Sequence, residues 1–256
     1  MTAPYVLEAV GVGVRFGGVR ALTGVDLGVR AGEVCGLIGP NGAGKTTLFD
    51  VLSGIRRPDR GRMLLDGVDV TRRSPVWRAR HGVRRTFQRQ QLFGQLSVAD
   101  NVLVAQEWRG GGGGPVADLI AAPARRRRER ERRERAARVL EGCGIGELGD
   151  AYAGGLPVGR ARMVELARAV ADRPRVLLLD EPASGMSAPE RERLAAVVRR
   201  LAEEGCAVLL VEHNVAFVME LCARVVVLDL GTVLAKGTAA EVRADPRVRQ
   251  AYLGAS

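Results

Sequence analysis

The stretch Gly39-Pro40-Asn41-Gly42-Ala43-Gly44-Lys45-Thr46-Thr47 decides the fold. An apolar run, Glu33 to Ile38, leads into it and a helical run, Leu48 to Ser53, leads out, so it reads as a turn from a strand into a helix. In that setting G-x-x-x-x-G-K-[ST] is a phosphate loop. Glycines let the backbone wrap so that successive N–H groups point inward, at a helix N-terminus that already favours anions. Lys45 would reach the β and γ phosphates and the Thr46 hydroxyl would hold Mg²⁺. Of the 39 basic residues only Lys45 and Lys236 are lysine. A chain that writes arginine almost everywhere has kept a compact ammonium at position 45.

Working outward, Val176-Leu177-Leu178-Leu179-Asp180-Glu181-Pro182 is an apolar strand ending in two carboxylates. Side chains alternate along a strand, so the two cannot serve one role. Asp180 is placed to support a Mg²⁺ shell and Glu181 to take a proton from an attacking water. His213 follows the strand Ala207 to Glu212, which puts it at the carboxyl edge of the sheet, where open α/β sheets carry their ligands. Gln88 ends the strand-like Arg84 to Gln88, and its amide oxygen could ligate Mg²⁺ or position water. A lone acidic pair, histidine or glutamine carries little; beside a phosphate loop each gains a role.

The rest of the chain supplies the frame. Strand-like segments run Val6 to Phe16 and Leu22 to Val29, and Asp66-Gly67 sits between Leu64-Leu65 and Val68 to Val70 as a hairpin turn. After residue 172 strands and helices alternate: Val176 to Asp180, Pro189 to Glu203, Ala207 to Glu212, Asn214 to Cys222 and Val225 to Leu230. That order predicts a mostly parallel sheet covered by helices, with Val-Leu runs buried on both faces. The helical pattern over about 89 to 171 is then an insertion. The predicted organisation is an α/β core of residues 1–88 and 172–245, a helical subdomain of 89–171 and a tail of 246–256.

Within the insertion, Gly110 to Gly114 precede Pro115 and read as a connection between helices. Arg125 to Arg138 holds nine arginines and three glutamates and carries most of the net charge of +10. Arg125/Glu129, Arg127/Glu131 and Arg130/Glu134 stand at i,i+4, so the run reads as a solvated helix rather than a nucleic-acid patch. With 46% hydrophobic and 27% charged residues the chain has a core to bury, which excludes disorder as its main state. Cys35, Cys143, Cys206 and Cys222 are too scattered for a zinc site or a disulfide framework. No apolar run reaches the roughly 18 to 20 residues of a membrane-spanning helix, and Met1 to Pro4 shows no basic-then-apolar leader.

Taken together these residues resemble the nucleotide-binding subunits of ABC transporters, over essentially the whole chain. Phe16 falls where the family has an aromatic that stacks on adenine, Gly39 to Thr46 match the Walker A loop, and Gln88 matches the Q-loop. Asp180 and Glu181 match Walker B and its catalytic glutamate, and His213 matches the switch histidine. The family signature L-S-G-G-Q corresponds here to Leu156-Pro157-Val158-Gly159-Arg160, in which Pro157 offers neither hydroxyl nor N–H to a phosphate. The helix from about Arg162 to Ala171 would still direct its dipole there.

The resemblance implies a P-loop NTPase core of ABC type with an N-terminal antiparallel β part and an inserted helical subdomain. It also implies ATP and Mg²⁺ as ligands, a second ATPase subunit closing a head-to-tail dimer, and permease subunits at the cytoplasmic face of the membrane. A solute-binding protein would act indirectly, and no nucleic acid is expected. More narrowly, R-T-F-Q-R-Q-Q-L-F-G-Q-L-S-V-A-D-N-V from Arg85, Gly185-Met186, V-E-H-N-V and the ending around Tyr252-Leu253-Gly254 look like importers of branched-chain amino acids, whose relatives take amides or urea. Two other readings stand beside this one: a soluble ABC ATPase acting on nucleic acid or ribosomes, and a regulatory subunit that binds ATP but hydrolyses it poorly.

Overall fold

The computed structural model describes residues 4–106 and 122–253, so the glycine run at 110–114 lies outside the described residues. The chain divides into two compact units: Met1–Gln88, Pro174–Pro182 and Val198–Ser256 form one, and Arg89–Arg173 with Ala183–Val197 the other.

In the first unit, β1 (Tyr5–Phe16), β2 (Val19–Arg30), β4 (Arg60–Leu65) and β5 (Val68–Asp69) form an antiparallel sheet in the order β2-β1-β4-β5. The Asp66-Gly67 turn joins β4 to β5 with both residues at positive φ, 50° and 77°, as a two-residue hairpin requires. A six-stranded sheet runs β10-β9-β3-β8-β7-β6, made of β3 (Val34–Ile38), β6 (Val83–Arg85), β7 (Val176–Asp180), β8 (Ala207–Val211), β9 (Arg224–Asp229) and β10 (Thr232–Gly237). Its five strands from β9 to β6 are parallel; β10 returns antiparallel as an edge. Every residue of β3, β7 and β8 is buried, which is why these strands are written as unbroken Val and Leu runs.

Helix α1 (Lys45–Ser53) follows β3 and buries Leu48, Phe49, Val51 and Leu52. Its last carbonyls are satisfied from α2 (Pro75–Arg80): the buried Arg78 donates through Nη1 to Val51 O at 2.7 Å and Leu52 O at 2.8 Å, and through Nη2 to Val70 O at 2.9 Å. Strand β6 ends at Arg85, so Gln88 lies three residues beyond it rather than at its end, because Thr86 N still donates to β7 (Leu178 O, 3.0 Å) but the chain then leaves the ladder.

The second unit contains α3 (Val98–Gln106), α4 (Ala122–Gly142), α5 (Val158–Val170) and the first turns of α6 (Ala188–Glu203). Buried Asn101 on α3 pins the preceding loop by accepting from Phe93 N at 2.9 Å and donating to Phe93 O at 3.1 Å and Ser97 O at 2.9 Å. On α4, Arg127–Glu131 and Arg130–Glu134 pair at 3.1 and 3.0 Å as their spacing requires, while Glu129 takes Arg133 at 3.1 Å. Helix α5 starts at Val158, four residues before the start read from the sequence, because Pro157 holds φ −55° and ψ 150° and serves as its N-cap. The β-α alternation assigns 183–197 to the core, yet this segment groups with the helical unit, where Glu190 and Arg193 lie against Gly159 and Gly144. Three short helices complete the first unit: α7 (Val215–Leu221), α8 (Ala239–Ala244) and α9 (Pro246–Leu253). No helix among the described residues is long and apolar enough to cross a membrane.

Candidate functional site

The carboxyl edge of the six-stranded sheet gathers the predicted residues of the first unit. Between β3 and α1 the chain turns through Gly39 to Gly44, with Pro40, Asn41, Gly42 and Ala43 forming the bend. Gly44 is the N-cap of α1 at φ +100°, and a Cβ there would fall 2.6 Å from Ala21 O. Only glycine meets both demands, and the contact puts the β1–β2 hairpin beside the loop. No side chain caps α1, so its first N–H groups are left for a ligand. Lys45 Nζ donates back to Gly39 O at 2.7 Å and Pro40 O at 2.9 Å, closing the loop on itself. Burial lowers the Lys45 pKa, while the Glu181 and Asp180 carboxylates work against that shift.

Asp180 ends β7 and is buried. Burial raises its pKa, and a hydrogen bond from Arg85 opposes the rise. Arg85 Nη2 donates to Asp180 Oδ2 at 2.9 Å, and the Asp180 N–H donates to Thr86 Oγ1 at 3.2 Å. The other Asp180 oxygen takes no hydrogen bond among the described residues. Thr46, and beside it Thr47, open the first turn of α1, and Thr46 is exposed. A hydroxyl and a carboxylate oxygen with spare capacity are hard donors that fit Mg²⁺, which binds one or two protein oxygens and takes the rest from phosphate and water.

Glu181 sits at φ +50°, a backbone region that costs a residue with a side chain about 1 kcal/mol or more. Its N–H is fixed on Val211 O at 2.9 Å, so the turn out of β7 is set by the neighbouring strand β8. The carboxylate is thereby aimed between two partners. His213 Nε2 lies 2.8 Å from Oε1, and Gln88 Nε2 donates to Oε2 at 3.2 Å. His213 is just beyond β8, so Gln88, Glu181 and His213 come from three sheet-edge loops and meet at one carboxylate.

Phe16 ends β1 with its ring about half exposed, and the Arg56 guanidinium lies 4.0 Å from the ring centroid. Pro157, Val158 and Gly159 belong to the second unit; Val158 is exposed and Gly159 buried. A Cβ on Gly159 would fall 2.3 Å from Glu190 Oε1, so a carboxylate of the chain itself lies on the first turn of α5. Glu190 is held there by Ser187, whose N–H and Oγ both donate to Oε2 at 2.8 and 2.7 Å.

Three participants escape a motif reading. Arg85 looks like one arginine among many, and only the pairing of β6 with β7 brings it to Asp180. Arg56 meets Phe16 through the turn after α1, where its N–H donates to Asp50 O at 2.9 Å. Tyr252 on α9 takes a backbone hydrogen bond from Gly39, and burial pushes its phenol up to about 12. The sequence flagged the ending around Tyr252, without its contact to the phosphate loop.

Comparison with known proteins bears on the family of the chain. The family model described as "ABC transporter" matches residues 22–184, and one described as "Branched-chain amino acid ATP-binding cassette transporter" matches residues 232–256. The high-affinity branched-chain amino acid transport ATP-binding protein BraF of Pseudomonas aeruginosa is 42% identical over 250 residues, covering 97% of this chain and 98% of that protein. The corresponding LivG protein of Escherichia coli is 38% identical with the same coverage. Among solved structures, the ADP conformation of an ATP-binding cassette of an ABC transporter superposes with a TM-score of 0.84 at 29% identity, covering 98% of this chain and all of that one.

Proposed function

The chain belongs to the ABC transporter family, and we propose on that footing that it is the ATP-hydrolysing subunit of an importer for branched-chain amino acids. The single observation that carries the chemical half is the Glu181 carboxylate held between His213 and Gln88 at the edge that bears the phosphate loop. The C-terminal match and the named relatives support the substrate.

In this reading Gly39 to Thr47 bind the polyphosphate through backbone N–H groups, and Lys45 exchanges its two carbonyl partners for phosphate oxygens. Phe16 stacks on the adenine. Mg²⁺ held by Thr46 and Asp180, with Gln88 beside them, would offset phosphate charge. Glu181 accepts a proton from the attacking water through lone pairs that its contacts with His213 and Gln88 leave unused. His213 keeps the carboxylate in line while the proton moves. Pro157, Val158 and Gly159 face the nucleotide of a second ATPase subunit in a closed dimer. The subunit works peripherally, at the cytoplasmic face of permeases that provide the path.

Reconstitution of the chain with its permeases in vesicles tests both halves. ATP-dependent uptake of leucine, isoleucine and valine is the expected result. Uptake of an amide or urea instead would reassign the substrate, and ATP turnover without any permease requirement would overturn the transport role.

A further inference from the structure

Arg85 has no role in the Walker, Q-loop or switch patterns, yet its guanidinium is almost fully buried between two carboxylates. Nη2 donates to Asp180 Oδ2 at 2.9 Å, and Nη1 donates to Asp50 Oδ1 at 2.6 Å and Ser53 Oγ at 3.1 Å. Two aromatic rings lie beside it, the guanidinium carbon being 5.6 Å from the Phe49 centroid and 5.1 Å from that of Phe87. Buried charge is tolerated only where partners fix it, and a planar fork held at both ends has one orientation. The three elements joined here are the helix of the phosphate loop (Asp50, Ser53), the end of β6 that leads to Gln88 (Arg85), and the end of β7 (Asp180).

We infer that Arg85 is a positioning residue for the metal-binding carboxylate: by fixing Oδ2 of Asp180 it holds the carboxylate in one orientation and leaves the other oxygen to a Mg²⁺–nucleotide complex. Thr86 fixes the backbone of the same aspartate, since the Asp180 N–H donates to its hydroxyl at 3.2 Å. Consecutive residues of the β6 end thus hold the carboxylate and the amide of Asp180. The segment then continues to Gln88, which holds Glu181. Asp50 and Ser53 together hold the far end of the fork, Asp50 with the shorter and charged contact, so weakening Asp50 loosens the orientation of Arg85 without freeing it.

The inference rests on the nucleotide site proposed above. Its test is ATP affinity of the full chain, read with a fluorescent ATP analogue in EDTA and again across a Mg²⁺ titration. Arg85→Lys keeps the charge but lacks the planar fork that addresses the two carboxylates from separate nitrogens. It should raise the Mg²⁺ concentration for half-saturation by about tenfold, the scale of one lost charge-assisted hydrogen bond, with Mg²⁺-free affinity within about twofold of the parent. Asp50→Asn should shift the metal requirement in the same direction by less. An unchanged metal requirement in Arg85→Lys, or an equal fall in affinity with and without Mg²⁺, overturns the positioning role. If Arg85→Lys does not fold, Asp50→Asn decides the matter by the same criterion. Absence of ATP binding by the parent chain would instead refute the nucleotide site itself.

Discussion

Two helix N-termini in this molecule are built for the same physics and finished in opposite ways. Helix α1 opens at Gly44 and α5 at Pro157, and neither has a side-chain cap, so both present unpaired N–H groups. Beside the first stands Lys45, tied to two carbonyls of its own loop at 2.7 and 2.9 Å. Over the first turn of the second lies the Glu190 carboxylate, held by Ser187. An ammonium next to an N-terminus invites an anion; a carboxylate on one already satisfies it in part. The positive end of a helix dipole is therefore a weak guide to a phosphate site, and the charge of the nearest side chain decides what the end is free to bind.

The sharpest way to break this contrast is at the α1 side, where the chemistry is assigned. Glu181→Gln keeps the shape and the hydrogen-bonding reach toward His213 and Gln88 but removes the base. Turnover by the assembled transporter should fall by about a hundredfold or more while ATP still binds. Single-turnover and steady-state rates on the same preparation check this. Near-normal turnover would mean that the cluster at Glu181 does not perform the proton step and that the α1 end lacks the advantage claimed for it.

How much of this could be read from the sequence differs between the two regions for a physical reason. The phosphate loop was legible because its demands are local: Gly44 must take positive φ against Ala21, and Lys45 must reach back over six residues, so the pattern is fixed by the backbone itself. The strands β7 and β8 were legible as buried Val-Leu runs, and their ends located Asp180 and His213. Arg85 opens a stretch quoted for its family likeness, but its pairing was invisible, because its partner Asp180 is 95 positions away in the chain and only strand pairing joins them. The start of α5 was misplaced because proline at 157 reads as a break from the sequence alone, whereas at an N-cap its fixed φ is an asset. The placement of Glu190 over Gly159 was likewise out of reach, being a tertiary contact between two helix starts.

That contact gives a prediction of intermediate size. Gly159→Ala would put a Cβ 2.3 Å from the Glu190 carboxylate, so Glu190 must withdraw and release Ser187, the residue it bonds in front of α6. Losing that cap should cost about 1 to 2 kcal/mol, of which the helix propensity of alanine returns up to about 1 kcal/mol, a net fall in melting temperature of about 2 to 4 °C. In a Glu190→Ala background the same substitution should cost much less, since the obstacle is gone. Equal costs in both backgrounds, followed by thermal denaturation, would show that the carboxylate is not what fills the space above Gly159.

The smallest expected effect concerns Pro157, where the family pattern has serine. From the sequence, the missing hydroxyl and missing N–H look like two hydrogen bonds withheld from a partner's phosphate. The geometry reduces that loss. Pro157 is the N-cap, its carbonyl already accepts from Ala161 N at 2.9 Å, and the N–H groups of the first turn are left uncapped. A serine at this place has two uses for its hydroxyl: it can accept from the first-turn N–H groups as a cap, or donate outward to an anion. The first use stabilises the helix by about 1 kcal/mol but consumes a donor that a phosphate would want; the second leaves stability unchanged. The two partly cancel for ligand binding, and losing the fixed φ of proline costs up to about 1 kcal/mol, so Pro157→Ser should raise the melting temperature by no more than about 2 °C and improve ATP-driven dimerisation by no more than about tenfold. Sedimentation in ATP, with and without the substitution in the Glu181→Gln background, reads the second quantity, and calorimetry the first. A large gain in dimerisation with no thermal shift would show the hydroxyl acting outward, and would make Pro157 rather than Glu190 the feature that separates the α5 end from the α1 end.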